Sequence, residues 1–100
     1  MSAPIPFHLE TTDSTLNGRV DLPILPGERP AVVICVEGSL EWGFLPYLAT
    51  LLAARGFVAI RVEARELAGL LAVLEALFEA NGTIAPGRVD RRRLGLFGHG

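Results

Sequence analysis

Three short apolar runs, rich in β-branched residues, punctuate the chain: AVVICV at 31–36, FVAIRV at 57–62 and LGLF at 94–97. Each is nearly continuous rather than alternating. Strands buried on both faces of a helix-covered parallel sheet read this way. Between the first two runs, residues 45–55 carry Leu48, Leu51 and Leu52 at helical spacing. Pro46 fits the first turn of that helix and Gly56 its stop. Between the second and third runs, 66–81 predicts a longer helix with Leu67, Leu70, Leu71, Leu74, Leu77 and Phe78 on one wide face. Glu75 and Glu79 take its other face, and Asn81-Gly82 ends it. Looser alternation over 7–13 and 16–22 predicts two early strands forming a hairpin, with Asp13-Ser14 between them. The segments 23–30 and 83–92, which hold the prolines outside the helices and the N-terminus, predict loops.

The resulting order, β-β-β-α-β-α-β, predicts an α/β fold with a mostly parallel sheet flanked by helices and joined by right-handed crossovers. The whole chain, 1–100, reads as one domain, with N-terminal strands over 7–22 and a βαβαβ core over 31–100. Half of the residues are hydrophobic and only 20% are charged, which excludes a disordered chain. The net charge is −2 and no basic stripe exists, so no nucleic-acid partner is expected. All the basic residues are Arg, and their one cluster, Arg91-Arg92-Arg93, reads as a solvated turn. The single cysteine, Cys35, reads as a small buried hydrophobe. No apolar stretch is long enough for a membrane span, and the first residues lack the basic and apolar regions of a secretory leader. A cytoplasmic protein without a membrane partner is the expectation.

In open parallel sheets, chemistry collects at the carboxyl ends of the strands. Three segments fall at such ends: Glu37-Gly38-Ser39, Glu63-Ala64-Arg65 and Gly98-His99-Gly100. Glu37 and Glu63 could act as paired carboxylates or grip a cation, but neutralisation by Arg61 or Arg65 is the plainer reading, and no metal site is expected. His8 reads as a surface or rim residue.

The text RPAVVICVEGSLEWGFLPYLATLLAARGFVAIRV, followed later by RVDRRRLGLFGHG, resembles the serine-hydrolase branch of the α/β-hydrolase superfamily. It is most similar to small esterases of the dienelactone-hydrolase type. The resemblance covers about three quarters of the chain. It implies that the first apolar strand ends at an oxyanion loop, where the backbone N–H of Ser39 donates to the developing oxyanion. It also implies that the last strand leads into a nucleophile elbow, with Gly98 as the first small residue, His99 before the nucleophile, and position 100 as the nucleophile itself. A sharp strand-to-helix turn lifts the attacking hydroxyl clear of the sheet, and small flanking residues let it close.

Two departures from the pattern matter. Gly100 stands where Ser should be, and without a hydroxyl no acyl-enzyme can form there. Glu37-Gly38 stands where similar enzymes have His-Gly, which places a carboxylate beside the oxyanion position. Trp42 and Phe44 either line an acyl pocket together with Glu37 and Gly38, or staple the following helix to the sheet. The general base and its carboxylate partner come later in such families. On this reading the chain is therefore a segment of a longer protein, or it pairs edge to edge with a copy of itself through the exposed last strand. The resemblance implies a small ester-like substrate and no cofactor. Two other readings remain open: a non-catalytic hydrolase-fold binding module, and a nucleotide-binding βαβ protein in which Gly98-His99-Gly100 begins a G-x-G-x-x-G loop.

Overall fold

The computed structural model describes residues 4–10, 15–36, 40, 43–63, 67–78 and 84–99. In chain order the elements are β1 (Ile5–Glu10), β2 (Thr15–Asp21), β3 (Arg29–Val36), α1 (Leu45–Ala54), β4 (Val58–Glu63), α2 (Leu67–Phe78) and β5 (Val89–His99). The β-β-β-α-β-α-β order of the sequence reading stands.

The strands form one five-stranded sheet in the order β1-β2-β4-β3-β5. Strand β3 pairs parallel with both β4 and β5, while β1–β2 and β2–β4 pair antiparallel. The sheet is therefore mixed rather than mostly parallel. The reason is the hairpin: a short connection turns β2 back along β1, and β2 then meets β4 head to tail. Nothing in the local pattern of 16–22 encodes that second, long-range pairing.

The chain leaves β3 in one direction to reach β4, then crosses back over β3 to reach β5. Crossovers of one hand running in opposite directions place their helices on opposite faces, and the core divides accordingly. On the α2 face, Val73, Ala76 and Leu77 pack with Ala31, Val33, Val58, Ile60, Val62, Val20 and Phe7. On the α1 face, Leu45 joins Ile34, Val36 and Leu40, flanked by Leu48 and Leu52.

Both helices are rotated slightly from the expected faces. Leu45 and Ala49 are the fully buried residues of α1, and Leu51 is exposed. On α2, Leu71 is exposed while Val73 is buried. These helices are apolar nearly all round, so periodicity alone specifies their inner face poorly. Helix α1 stops as Gly56 requires. Gly56 adopts φ 89°, its N–H donates to Ala53 O (3.1 Å), and Phe57 N–H donates to Leu52 O (3.0 Å). This pair of bonds is a Schellman closure, and a left-handed residue makes it possible.

The third apolar run extends further back than expected. Strand β5 begins at Val89, so Arg91, Arg92 and Arg93 lie on a strand rather than in a turn. All three are exposed, and among the described strands β5 is the outermost. Its pairing with β3 is irregular between Arg29 and Ala31, where partners jump from Val89 to Leu94. Asp90 organises this bulge. Its carboxylate accepts from the Arg92 N–H at 3.0 Å and from Arg93 Nε at 2.8 Å.

Candidate functional site

The carboxyl ends of the three parallel strands finish level. Val36 of β3 is the register partner of Glu63 on β4 and of His99 on β5. Cys35 is likewise opposite Gly98. Neighbouring strands lie about 4.8 Å apart, so the ends of β3 and β5 stand side by side. Strand order reverses at β3, and the crevice outside the carboxyl ends at such a point is where ligands of open α/β sheets bind.

Of the expected site residues, Gly98 and His99 lie at the carboxyl end of β5, still on the strand. A side chain built at Gly98 would meet nothing within 4 Å among the described residues. The described residues therefore make no demand for a small residue at that position. Phe44 is the N-cap of α1, 49% exposed, and its carbonyl accepts from Leu48 N–H at 2.9 Å. Glu37, Gly38, Ser39, Trp42 and Gly100 lie outside the described residues. The other carboxylate considered for a pair, Glu63, is half-buried at the end of β4.

Two features escape the sequence reading. The first is a shallow cleft of ≈ 310 Å³ beside the carboxyl end of β4, lined by Pro6, His8, Asn17, Gly18, Arg19, Leu40 and Glu63. His8, read as a rim residue, stands at this cleft, with its Nδ1 2.6 Å from Asn17 Oδ1 across the β1–β2 pair. The cleft is polar on its hairpin side and meets the β3–α1 connection at Leu40. Gly18 belongs here by necessity: a Cβ on it would collide with the Phe7 ring and with the Arg61 carbonyl.

The second feature is the pairing of Arg61 with Asp21, where the sequence reading set Arg61 against Glu37 or Glu63. Arg61 sits mid-strand in β4 with only 1% of its surface exposed, and it forms an ion pair with Asp21 of β2 (Nη2 to Oδ1, 3.2 Å). Its Nη1 donates to the carbonyl of Leu40 at 3.1 Å. A charge inside a run such as FVAIRV must find a partner once the strand is buried. That signal was present in the sequence, but its partner forty residues away was not.

Among the described residues no group of His, Cys, Asp or Glu is arranged to hold a metal ion. No helix among them is long and apolar enough to cross a membrane. Burial pushes the Cys35 thiol above its ordinary value, as suits a packed residue on the α2 face rather than a nucleophile.

No family model matches the sequence, and neither does any curated protein. Solved structures do match its shape. Est1E from Butyrivibrio proteoclasticus superposes with a TM-score of 0.75 at 18% identity, over 94% of this chain and 40% of that one. The thermophilic esterase Est2 from Thermogutta terrifontis gives 0.73 at 18% identity, over 95% and 39%. An α/β serine hydrolase without a lid from Xanthomonas campestris gives 0.56 at 19% identity, over 75% and 44%. The chain thus spans about two fifths of the length of these structures. The fold is that of the α/β hydrolases, in part.

Proposed function

We propose that this chain is the N-terminal segment of a serine hydrolase that cleaves carboxylic esters or similar acyl bonds in a small-molecule substrate. It supplies the oxyanion loop after β3 and the start of the nucleophile elbow after β5. The observation that supports the reading is the register of Val36 with His99, which ends two parallel strands side by side at the switch point of the sheet. In an acyl transfer the attacking hydroxyl and the oxyanion donors must converge on one carbonyl, and adjacent strand ends bring them within reach of one another. Serine hydrolases among the structural neighbours support the class. The dienelactone-hydrolase type and a cytoplasmic location belong to the same reading.

Gly100 makes this chain silent in that chemistry, since glycine offers no oxygen to acylate. The same residue favours a second reading, a hydrolase-fold module that binds without turnover. Hydrolysis of p-nitrophenyl acetate by the full-length protein, of which this chain is the segment, carrying Gly100→Ser separates the two. Turnover above the parent protein supports a disabled hydrolase. No gain in a variant that retains its fold counts against it and in favour of the binding module.

Among the described residues β5 has a partner on one side only, and Leu96 (59% exposed) and Phe97 (40% exposed) lie open there. Pairing with a copy of the chain along β5 is the association this edge supports. Sedimentation velocity over a concentration series reads it: a single monomer species at all concentrations excludes it.

A further inference from the structure

We propose that the loop between β2 and β3 is a membrane-surface dock: Ile24 and Leu25 enter the interface of an anionic bilayer while the arginines around them bind lipid phosphate. The inference needs nothing from the acyl chemistry proposed above.

The loop lies at the amino ends of β3, β4 and β5, the pole away from Val36, Glu63 and His99. It turns apolar residues outward: Ile24 is 88% exposed and Leu25 49%. Single exposed apolar residues are common and need no explanation. Here, however, the exposure is built in. Pro23 is buried at the root of the tip, and Pro23 and Pro26 each restrict their own φ. Gly27, at φ 80°, turns the chain back. Arg88 then fixes the backbone from the start of β5. Its Nε donates to Gly27 O at 2.9 Å, and its Nη2 donates to Leu25 O at 2.6 Å and to Pro23 O at 3.2 Å. A loop held this way keeps Ile24 outward, and it loses little backbone freedom when that side chain is buried elsewhere.

The charge around the tip selects the partner. Arg88 and Arg29 donate to neutral carbonyls, Arg29 from Nε to Gly56 O at 3.0 Å, and such bonds leave the positive charge in place. Arg55 follows α1 beside them, and Arg91, Arg92 and Arg93 are exposed near the start of β5. Among the described residues, the carboxylates at this pole are Glu28, Asp90 and, on the last turn of α2, Glu75, while Asp21 is buried and paired with Arg61. The chain as a whole carries −2, so its positive charge gathers around Ile24. Screening confines exposed charges to about 8 Å at physiological salt, so the local excess, not the net charge, meets the partner. An apolar tip among arginines matches an anionic bilayer, where acyl chains lie beneath phosphates. Guanidinium grips phosphate in bidentate fashion. Two apolar side chains fall well short of the roughly 800 Å² that each partner buries in a stable protein interface, whereas a fluid lipid surface needs no matching shape. The lack of a spanning stretch, from which the sequence reading expected no membrane partner, does not bear on a surface dock.

Co-sedimentation of the full-length protein with vesicles tests the dock. Vesicles of phosphatidylcholine alone are compared with vesicles that also contain phosphatidylserine, in low and in high salt. The proposal expects binding to the mixed vesicles, weakened by salt. Ile24→Ser should weaken that binding about tenfold, and Arg55→Gln about fivefold. Both changes lie on exposed residues, so thermal unfolding should match the parent. Ile24→Trp should shift its emission to the blue on adding mixed vesicles, beyond any shift of the parent, and not on adding phosphatidylcholine alone. Absence of binding to mixed vesicles would overturn the proposal, as would binding that Ile24→Ser leaves unchanged. Retention by immobilised polyglutamate without vesicle binding would point to an acidic protein partner and overturn it too. None of these readouts involves ester turnover by Gly100→Ser, so the dock and the hydrolase reading fail separately.

Discussion

Strands β4 and β5 flank the same central strand, both parallel to it, yet they share little else. Every residue of Val58–Val62 is buried, on both faces, because β2 closes the outer edge of β4 and a helix covers each side. Among the described residues β5 pairs with β3 alone and exposes Arg91, Arg92 and Arg93 at one end and Leu96, Phe97 and Gly98 at the other. Among the described residues, nothing covers the consecutive side chains of Leu96 and Phe97 fully. The difference teaches where rigidity resides. The buried strand carries the arginine that reaches out to a loop, whereas the strand leading to position 100 is held mainly by its ladder with β3.

The sharpest way to break this contrast is at Arg61. Arg61→Met removes the guanidinium that pairs with the buried Asp21 and should cost about 3–5 kcal/mol, read by urea unfolding. A cost under about 1 kcal/mol would show that Asp21 is hydrated or paired elsewhere. Next come matched truncations on the two strands. Ile60→Ala in β4 should cost about 2–4 kcal/mol, since Ile60 is completely buried. Leu96→Ala in β5 should stay within about 0.5 kcal/mol in the same assay. Equal losses would mean that the β5 edge is covered in solution.

How much of this was legible in the sequence follows from the same contrast. Runs buried on both faces announce themselves by composition, so the cores of β3 and β4 and the helices between them were readable. The early part of β5 was not, because an edge strand with charged residues needs no apolar pattern. Only the bulge set by Asp90 shows how Val89 and Leu94 both find places along β3. The antiparallel seam between β2 and β4 and the pairing of Asp21 with Arg61 are long-range facts without a local signal. The fold at the site was more legible than its chemistry. Gly98 and His99 lie on β5 beside the end of β3, while the cleft at Leu40, Asn17 and Glu63 arises from three separated segments.

Smaller effects sharpen the picture further. Gly56→Ala should cost about 1–2 kcal/mol, since the residue sits at φ 89° and a Cβ would press against the Arg29 guanidinium. Arg88 holds the loop at the opposite pole of the sheet through the carbonyls of Pro23, Leu25 and Gly27. These bonds are more exposed than those of Arg61, and Arg88→Ala should cost about 1 kcal/mol in thermal unfolding.

The smallest effect is one of pH. The Arg92 N–H, then the Arg93 guanidinium, hold the Asp90 carboxyl below its ordinary value. A lowered folded-state value stabilises the protein above the unfolded carboxylate range, near pH ~3.9, and that stability is lost as pH falls through the folded value. The parent should therefore lose stability relative to Asp90→Asn as the solution is acidified below about pH 4. Parallel pH profiles for the two proteins would remove Asp90 from the bulge.

The claim on which the rest depends is that the end of β5 and the end of β3 lie side by side. A nuclear Overhauser spectrum of the labelled chain tests it directly. Cross-strand backbone contacts should link Val36 with His99 and Cys35 with Gly98, with Val36 also in contact with Glu63 on its other side. Helical sequential contacts through Phe97 and His99, or a Val36 that meets Glu63 but not His99, would contradict it.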